Sequence, residues 1–245
     1  MHELWSGLPD AVRNELRDRL GADPTVAPIS LGRASDFAAV LTGLHGRVFA
    51  RLVPRLLWRV ETDGWLVLGF EYAVGRHPDL GFGSPDLPAL ATTMNEMVGA
   101  LTPSPLPRIP RFADRLRAYL DSETAEALHG DTLVHTDASP SNYLLTADGC
   151  RVVDWGWPAR GPAWADAALF LPRLVDAGHS PAEAAGWAAS VPAFALADPR
   201  AVSTLLEAFA RLWEERAATM PHCSRQASAA RAWIAHQSGA TLLGR

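Results

Sequence analysis

Lysine is absent from this sequence. All 22 basic residues are arginine, they are outnumbered by 27 acidic residues, and the formal net charge is −5. Because the arginines form no basic run, the chain lacks the electrostatic footprint of a nucleic-acid binder or of a protein that binds anionic membranes. The absence also excludes any mechanism that depends on a lysine amine.

Cysteine is almost as scarce. Cys150 and Cys223 form neither a metal-ligand spacing nor a disulfide framework, which predicts buried thiols in a reducing cytoplasm. The N-terminal residues lack the basic and apolar regions of a secretory signal. The longest stretch of small apolar residues, "AAGWAASVPAFALA", is too short to span a bilayer and contains Pro192. The sequence therefore predicts a cytoplasmic protein.

The remaining composition is ordinary for a globular protein. Hydrophobic residues make up 48% of the 245 positions and charged residues 20%. This length suits one large domain or two lobes that share a cleft.

The pattern of apolar residues changes along the chain. A short amphipathic helix is predicted in "LPDAVRNELRDRLG", and short apolar segments follow, with a hairpin signal at "TDG". Helical periods dominate afterwards, first in "LPALATTMNEMVGAL" and then in "FADRLRAYLDSETAEAL", which predicts a single helix. We predict a β-rich N-terminal lobe over residues 1–72 and a helical C-terminal lobe over residues 73–245.

Two later helices carry clear start signals. Ser180 and Glu183 form a capping box on either side of Pro181. Asp198 is followed by Pro199, which is typical of an N-cap with proline in the first turn.

The helical lobe is interrupted by the segment "LVHTDASPSNYLLTADGCRVVDWGWPAR". It is predicted to form a loop, a strand, a turn at "ADG", a second strand and a loop, with both strands buried. Asp154 follows the second strand, where we expect a buried carboxylate that needs a compensating charge.

Three side chains of this segment suit phosphoryl transfer. An antiparallel hairpin brings its two ends together, so Asn142 and Asp154 are expected side by side, with oxygen ligands of the kind that Mg²⁺ prefers. Asp137 precedes Asn142 by five residues and can accept a proton from an attacking hydroxyl or orient it. Kinase-type enzymes divide the work in this way.

The same residues carry a family resemblance. His135, Asp137 and Asn142 match the H-x-D-x-x-x-x-N catalytic loop of the aminoglycoside phosphotransferase family, and "DWG" at residues 154–156 resembles the D-F-G of kinases. The stretch "RGPAWADAALF" is similar to the G-D-P-x-x-D-L-A that follows in the family, with Asp166 at the second aspartate, whereas the first is absent.

The resemblance implies an α+β, two-lobed protein-kinase-like fold with a small antiparallel-sheet N-lobe and a larger, mainly helical C-lobe. It implies an ATP- or GTP-dependent phosphotransferase that uses Mg²⁺ and acts on a hydroxyl of a small molecule. It assigns catalysis to Asp137, metal binding to Asn142 and Asp154, and structural support to His135 and Asp166.

The nucleotide contacts are expected in the N-terminal lobe. In "ISLGRASDFAAVL" the resemblance implies two strands that cover the phosphates, with Gly32 and Ser35 as donors, although the segment also suits an ordinary hairpin turn. Glu71 and Tyr72 are expected to contact the nucleotide at the hinge "GFEYAVGR".

The expected nucleotide site departs from the family pattern at one position and in the segment that follows it. Arg51 stands where the family has a phosphate-binding lysine, and arginine does not deliver a point charge as an ammonium does. Only Leu52 and Val53 separate it from "PRLLWRV", so a helix of even one turn, about four residues, does not fit there. This favours an alternative function, a catalytically impaired pseudokinase or a nucleotide-binding module.

Further alternatives stay open. Asp137 and Asn142 can be turn-formers around Pro140, with Asp154 as a helix cap. A metal-dependent hydrolase built on His135 and Asp137 is disfavoured because no second histidine stands at ligand spacing. A cluster of glutamates in the C-terminal helices suits either a solvated face or a pocket for a cationic acceptor; its members are Glu207, Glu214 and Glu215.

Overall fold

The computed structural model describes residues 7–20, 25–28, 39–42, 54 and 56–243. The chain forms two compact units, residues 1–76 with 144–156, and residues 77–143 with 157–245. Helices and antiparallel strand pairs both occur, which confirms the α+β class. The two lobes predicted over residues 1–72 and 73–245 stay a prediction.

In its described part, the first unit contains one helix and short strand pairs. Its elements are α1 (Asp10–Leu20), β1 (Thr25–Pro28), β2 (Ala39–Thr42), β3 (Leu56–Thr62), β4 (Trp65–Phe70), β6 (Tyr143–Thr146) and β7 (Gly149–Val152). Tyr143, the first residue of β6, is counted with the second unit. β1 pairs with β2, β3 with β4 and β6 with β7.

The core of this unit lies between α1 and the β3–β4 hairpin. The helix buries Val12 and Leu16, as their spacing of four residues predicts, and Leu8 joins them from the preceding turn. Trp58 and Trp65 of the hairpin pack against this cluster.

The turn between β3 and β4 follows the sequence signal. Thr62 pairs with Trp65, so Asp63 and Gly64 form a two-residue turn. Both have left-handed backbones, with φ of 51° and 76°, as a type I′ turn requires. The predicted hairpin is confirmed.

The described part of the second unit is mainly helical, with one short antiparallel strand pair. Its elements are α2 (Leu87–Leu101), α3 (Phe112–Arg115), α4 (Ser122–Glu126), β5 (Thr132–Val134), β8 (Ala159–Gly161), α5 (Ala165–Asp176), α6 (Pro181–Ala188), α7 (Pro192–Ala195), α8 (Pro199–Arg216) and α9 (His222–Leu243). Helix α5 is central: residues 165–172 are buried without a break, and α2, α6, α8 and α9 all contact it.

The helix signals were correct in most places. α2 contains the residues whose period predicted a helix, the Ser180 capping box begins α6, and Asp198 caps α8. The single helix predicted over residues 112–128 is wrong. Asp121 has an extended backbone, and its side chain accepts a hydrogen bond from the Thr124 N–H at 2.8 Å, so α4 starts anew after α3 has ended.

The β6–β7 hairpin is confirmed, but β5 and β8 were not predicted as a strand pair. They are three residues long, with Thr132 opposite Gly161, and such short strands leave little pattern in a sequence. Glycine is needed at their edge: a Cβ on Gly130 would lie 2.4 Å from the carbonyl oxygen of Gly161.

The prediction for the two cysteines is also confirmed. Cys150 and Cys223 are buried free thiols, as predicted. Within the ranges given above, no helix has the length and apolar character needed to cross a membrane.

Leu16 tests the small core of the first unit. Replacing Leu16 by alanine should lower the free energy of unfolding by about 2–5 kcal/mol, because the side chain is fully buried and its removal leaves a cavity. Urea denaturation followed by tryptophan fluorescence measures the change. Leu20→Ala, at a half-buried position of the same helix, is the control and should cost clearly less. Equal costs would contradict this packing.

Candidate active site

The catalytic-loop motif lies directly after β5 in the second unit. His135 is 1% exposed, whereas half of the Asp137 side chain is open to solvent. A 3₁₀ turn, Pro140–Asn142, then leads into β6. The motif thus begins in the core and brings its aspartate to the surface.

Thr136 holds a strained backbone between these two residues. Its φ of 68° is in the left-handed region, where a β-branched residue is a clear outlier. Such strain persists only when the surroundings fix it. Here the Thr136 hydroxyl donates to the Trp157 carbonyl at 2.6 Å, and its N–H donates to Asp166.

Asp166 binds two successive amides of the loop. Its Oδ2 accepts a hydrogen bond from the His135 N–H and its Oδ1 accepts one from the Thr136 N–H, both at 2.9 Å. Burial raises the pKa of Asp166, while the His135 side chain and the two N–H groups oppose the rise. We refer to these two bonds as the Asp166 clamp.

Asp137 is positioned by its neighbours in the loop. Its N–H donates to His135 Nδ1 at 3.3 Å, and its Oδ1 accepts from the Ser139 N–H at 3.2 Å. An Nη2 atom of Arg173, on α5, lies 3.9 Å from the same Oδ1. The carboxylate is therefore oriented, yet still accessible to another molecule.

Asn142 is joined to the same loop. It is 5% exposed, and its Nδ2 donates to the Asp137 carbonyl at 3.2 Å. Since the amide nitrogen is used in this bond, the amide oxygen is the atom left for a ligand. The structure thus brings together His135, Asp137, Asn142 and Asp166.

Asp154 belongs to the first unit, and its predicted burial is wrong. Strand β7 ends at Val152, and Asp154 follows two residues later, where its side chain is exposed. Its φ of 59° is left-handed, a conformation that aspartate tolerates better than most residues. Its carboxylate needs no internal partner, because solvent can compensate the charge.

The hinge residues differ in their surroundings. Glu71 is buried and forms an ion pair with Arg151, with Oε1 at 3.4 Å from Nη1. Tyr72 is 64% exposed. The pair was not predicted, although a lone arginine in the buried strand "GCRV" is a signal for a buried acidic partner.

The other expected nucleotide contacts, Gly32, Ser35 and Arg51, lie outside the described residues, as does the segment that follows Arg51.

The glutamates of the C-terminal helices are engaged in the second unit. Arg231 binds Glu207 at 2.5 Å and Glu214 at 2.8 Å, and these bonds raise the pKa of Arg231 and lower that of Glu214. Glu215 accepts a hydrogen bond from the Tyr119 hydroxyl. These contacts favour a charge-paired helix surface over a pocket for a cationic acceptor.

The described part of the chain contains no cluster of potential metal ligands. No group of three or more His, Cys, Asp or Glu side chains within those ranges could hold an ion.

Arg173 was not predicted as a site residue, although one arginine within the apolar run "LFLPRLVD" of α5 is a recognisable signal.

The Asp166 clamp gives a direct test of the loop. Replacing Asp166 by asparagine puts an NH₂ group opposite one of the two loop N–H donors, so we expect the free energy of unfolding to fall by about 1–3 kcal/mol. Urea denaturation measures the loss. Asp114→Asn removes the same charge at an exposed site and should have almost no effect. A similar stability for both variants would contradict the clamp.

Comparison with known proteins places the chain in a family. The model of the phosphotransferase enzyme family, APH, matches residues 11–203. A 66-residue stretch is 38% identical to part of the serine/threonine-protein kinase AfsK of Streptomyces coelicolor, covering 27% of this chain but only 8% of that kinase.

Two solved structures show a more distant similarity. One is the GDP complex of wild-type aminoglycoside 2'-phosphotransferase-IIIa, with 16% identity, a TM-score of 0.48 and 76% of each chain covered. The other is an aminoglycoside phosphotransferase from Alicyclobacillus acidocaldarius, with 16% identity, a TM-score of 0.47 and 77% of each chain covered. The family match itself spans most of the sequence and confirms the resemblance carried by the catalytic-loop motif: the chain belongs to the phosphotransferase enzyme family.

Proposed function

We propose that this protein is a cytoplasmic enzyme that transfers the γ-phosphoryl group of ATP or GTP to a hydroxyl of a small molecule. The main support is the catalytic loop, in which Asp137 is oriented by its neighbours and bonded through its carbonyl to Asn142, while the Asp166 clamp holds the two residues that precede it. Family membership supports the same class of reaction.

The proposed step is a displacement at phosphorus. The acceptor oxygen bonds to the γ-phosphorus while the bond to the β–γ bridging oxygen breaks, and that electron pair leaves with the nucleoside diphosphate. Asp137 orients the hydroxyl and receives its proton, directly or by way of solvent. The half-exposed carboxylate gives an acceptor access to this group.

On the sequence motif alone, Asn142 and Asp154 are the proposed Mg²⁺ ligands. The amide nitrogen of Asn142 is used within the loop, which leaves its oxygen, and Asp154 offers an exposed carboxylate. One carboxylate and one amide fit an ion that takes its other ligands from phosphates and water. When bound, Mg²⁺ neutralises charge on the transferred phosphoryl group.

The nucleotide contacts remain part of the proposal. Gly32, Ser35 and Arg51 are assigned from the sequence alone. At the hinge, we propose that Glu71 and Tyr72 contribute backbone groups, because the Glu71 carboxylate is paired with Arg151. A catalytically impaired nucleotide-binding module is the second candidate, favoured by the arginine at position 51 in a chain without lysine.

Nucleotide binding is the first test. Isothermal titration calorimetry with Mg-ATP and Mg-GTP should show binding to the wild type, and Asp154→Ala should abolish it because a metal ligand is lost. Asp148→Ala removes the same charge from the exposed turn of the same hairpin and should bind as the wild type does. A wild type with no affinity for either nucleotide would refute the enzyme proposal and the binding-module alternative.

Asp137 is tested by a conservative change. Asp137→Asn keeps an oxygen that can accept the Ser139 N–H, so nucleotide affinity should be unchanged. Transfer to an acceptor should fall by about 10²–10⁴-fold in kcat, since the group that takes the proton is gone. Mass spectrometry of the phosphorylated product measures the rate. Equal turnover in the variant would rule out this role.

A further inference from the structure

We infer that the acceptor is an anionic alcohol, a hydroxy acid with a flat apolar group, rather than a cationic amino alcohol. This inference rests on the proposed function. It comes from guanidinium and indole groups of the second unit, of which Arg173 lies beside Asp137 and Trp157 is bonded to the preceding loop residue.

Arg173 is the first of these groups. Its guanidinium lies 3.9 Å from the Asp137 carboxylate and its Cζ is 5.8 Å from the ring centre of Trp213. The side chain is 18% exposed, and its buried Nε has no hydrogen-bond partner among the described residues. The 3.9 Å distance to Asp137 is longer than a hydrogen bond, so the partly exposed Arg173 side chain keeps a positive charge that can attract a second anion.

Trp157 and the two arginines over its ring form a second set of groups, beside the pair of Arg173 and Trp213. Its carbonyl accepts the Thr136 hydroxyl, so the residue is tied to the catalytic loop next to Asp137. Trp157 is 52% exposed, and the Cζ atoms of Arg115 and Arg216 lie 5.0 and 5.6 Å from the centre of its ring. An exposed indole beside two guanidiniums can bind a flat apolar group and an anion together.

Helix α8 connects the two sets. Trp213 and Arg216 are three residues apart, so they lie on the same face of the helix. The contacts of Trp213 with Arg173 and of Arg216 with Trp157 therefore lie on neighbouring turns. We call Arg115, Trp157, Arg173, Trp213 and Arg216 the arginine–tryptophan surface.

Acidic side chains balance only part of the charge on this surface. Among the described residues, Asp137 lies within 4.0 Å of Arg173, and no carboxylate lies within that distance of the Arg115 or Arg216 guanidinium. Asp176 also attracts Arg173 but forms an ion pair with Arg225 at 3.5 Å. The remaining acids nearby are engaged elsewhere, Glu207 and Glu214 with Arg231 and Glu215 with the Tyr119 hydroxyl.

This charge distribution determines which acceptor fits. A carboxylate can take two parallel hydrogen bonds from a guanidinium, a geometry that a neutral amide matches less well. An ammonium group would be repelled by the same surface. Arg115 is less free to move because it donates to the Trp157 and Pro158 carbonyls, which leaves Arg216 as the guanidinium best suited to a direct contact.

The experiment compares three alcohols that share a phenyl group and a hydroxyl. They are 3-phenyllactate, its neutral amide and the cation phenylalaninol, titrated into the full-length protein by calorimetry. We expect the acid to bind at least about tenfold more tightly than the other two, the factor of one charge-assisted hydrogen bond. Phosphorylation of the acid with Mg-ATP, detected by mass spectrometry, should show the same order in kcat/KM.

Arg216→Gln supplies the matched variant. It should weaken binding of the acid by about tenfold and leave the amide unchanged. Arg200→Gln removes the same charge from an exposed site at the start of the same helix and should behave as the wild type does. Equal effects of the two variants would overturn the inference, as would no affinity for the acid or a preference for phenylalaninol.

The outcomes separate this inference from the proposed function. If Mg-nucleotide binds but phenylalaninol is the better acceptor, the enzyme proposal holds and the anionic acceptor is wrong. If the acid binds selectively but no nucleotide binds, the anion site holds and the enzyme proposal is wrong.

Discussion

The structure around the candidate active site depends on one buried carboxylate. Asp166 accepts hydrogen bonds from two successive amides, of His135 and Thr136, and so fixes a left-handed threonine immediately before Asp137. Together with the bond from the Thr136 hydroxyl to the Trp157 carbonyl, these bonds offset a backbone conformation that costs about 1–3 kcal/mol. The direction in which Asp137 leaves the core is thus set by a residue of α5, thirty positions away, and not by the loop sequence itself.

The acidic and basic side chains of the second unit have different kinds of partner. The glutamates of α8 are engaged by Arg231 and Tyr119, whereas the arginines of the arginine–tryptophan surface contact indole rings, and Arg115 also donates to backbone carbonyls. Acidic residues in the sequence therefore say little about the acceptor, because their partners decide what they can bind. The surface that we propose for the acceptor is cationic and aromatic, and its cations are arginines, as are all basic residues of the chain.

Features with a local cause could be predicted from the sequence, and features with a distant partner could not. The Asp63–Gly64 turn and the Ser180 capping box depend on residues within four positions of one another, and both are present. The break at Asp121 was missed because apolar spacing outweighed a capping signal. The exposure of Asp154 and the partners of Arg173 depend on how distant segments pack, which one sequence does not reveal.

We propose that the Asp166 clamp makes Asp137 competent for phosphoryl transfer. The test is kcat for transfer in Asp166→Asn, at a temperature where that variant and the wild type are both folded. We expect unchanged nucleotide affinity and a fall in kcat of about 10²-fold or more, the cost of misplacing a catalytic group by about 1 Å. An unchanged kcat in the folded variant would contradict it.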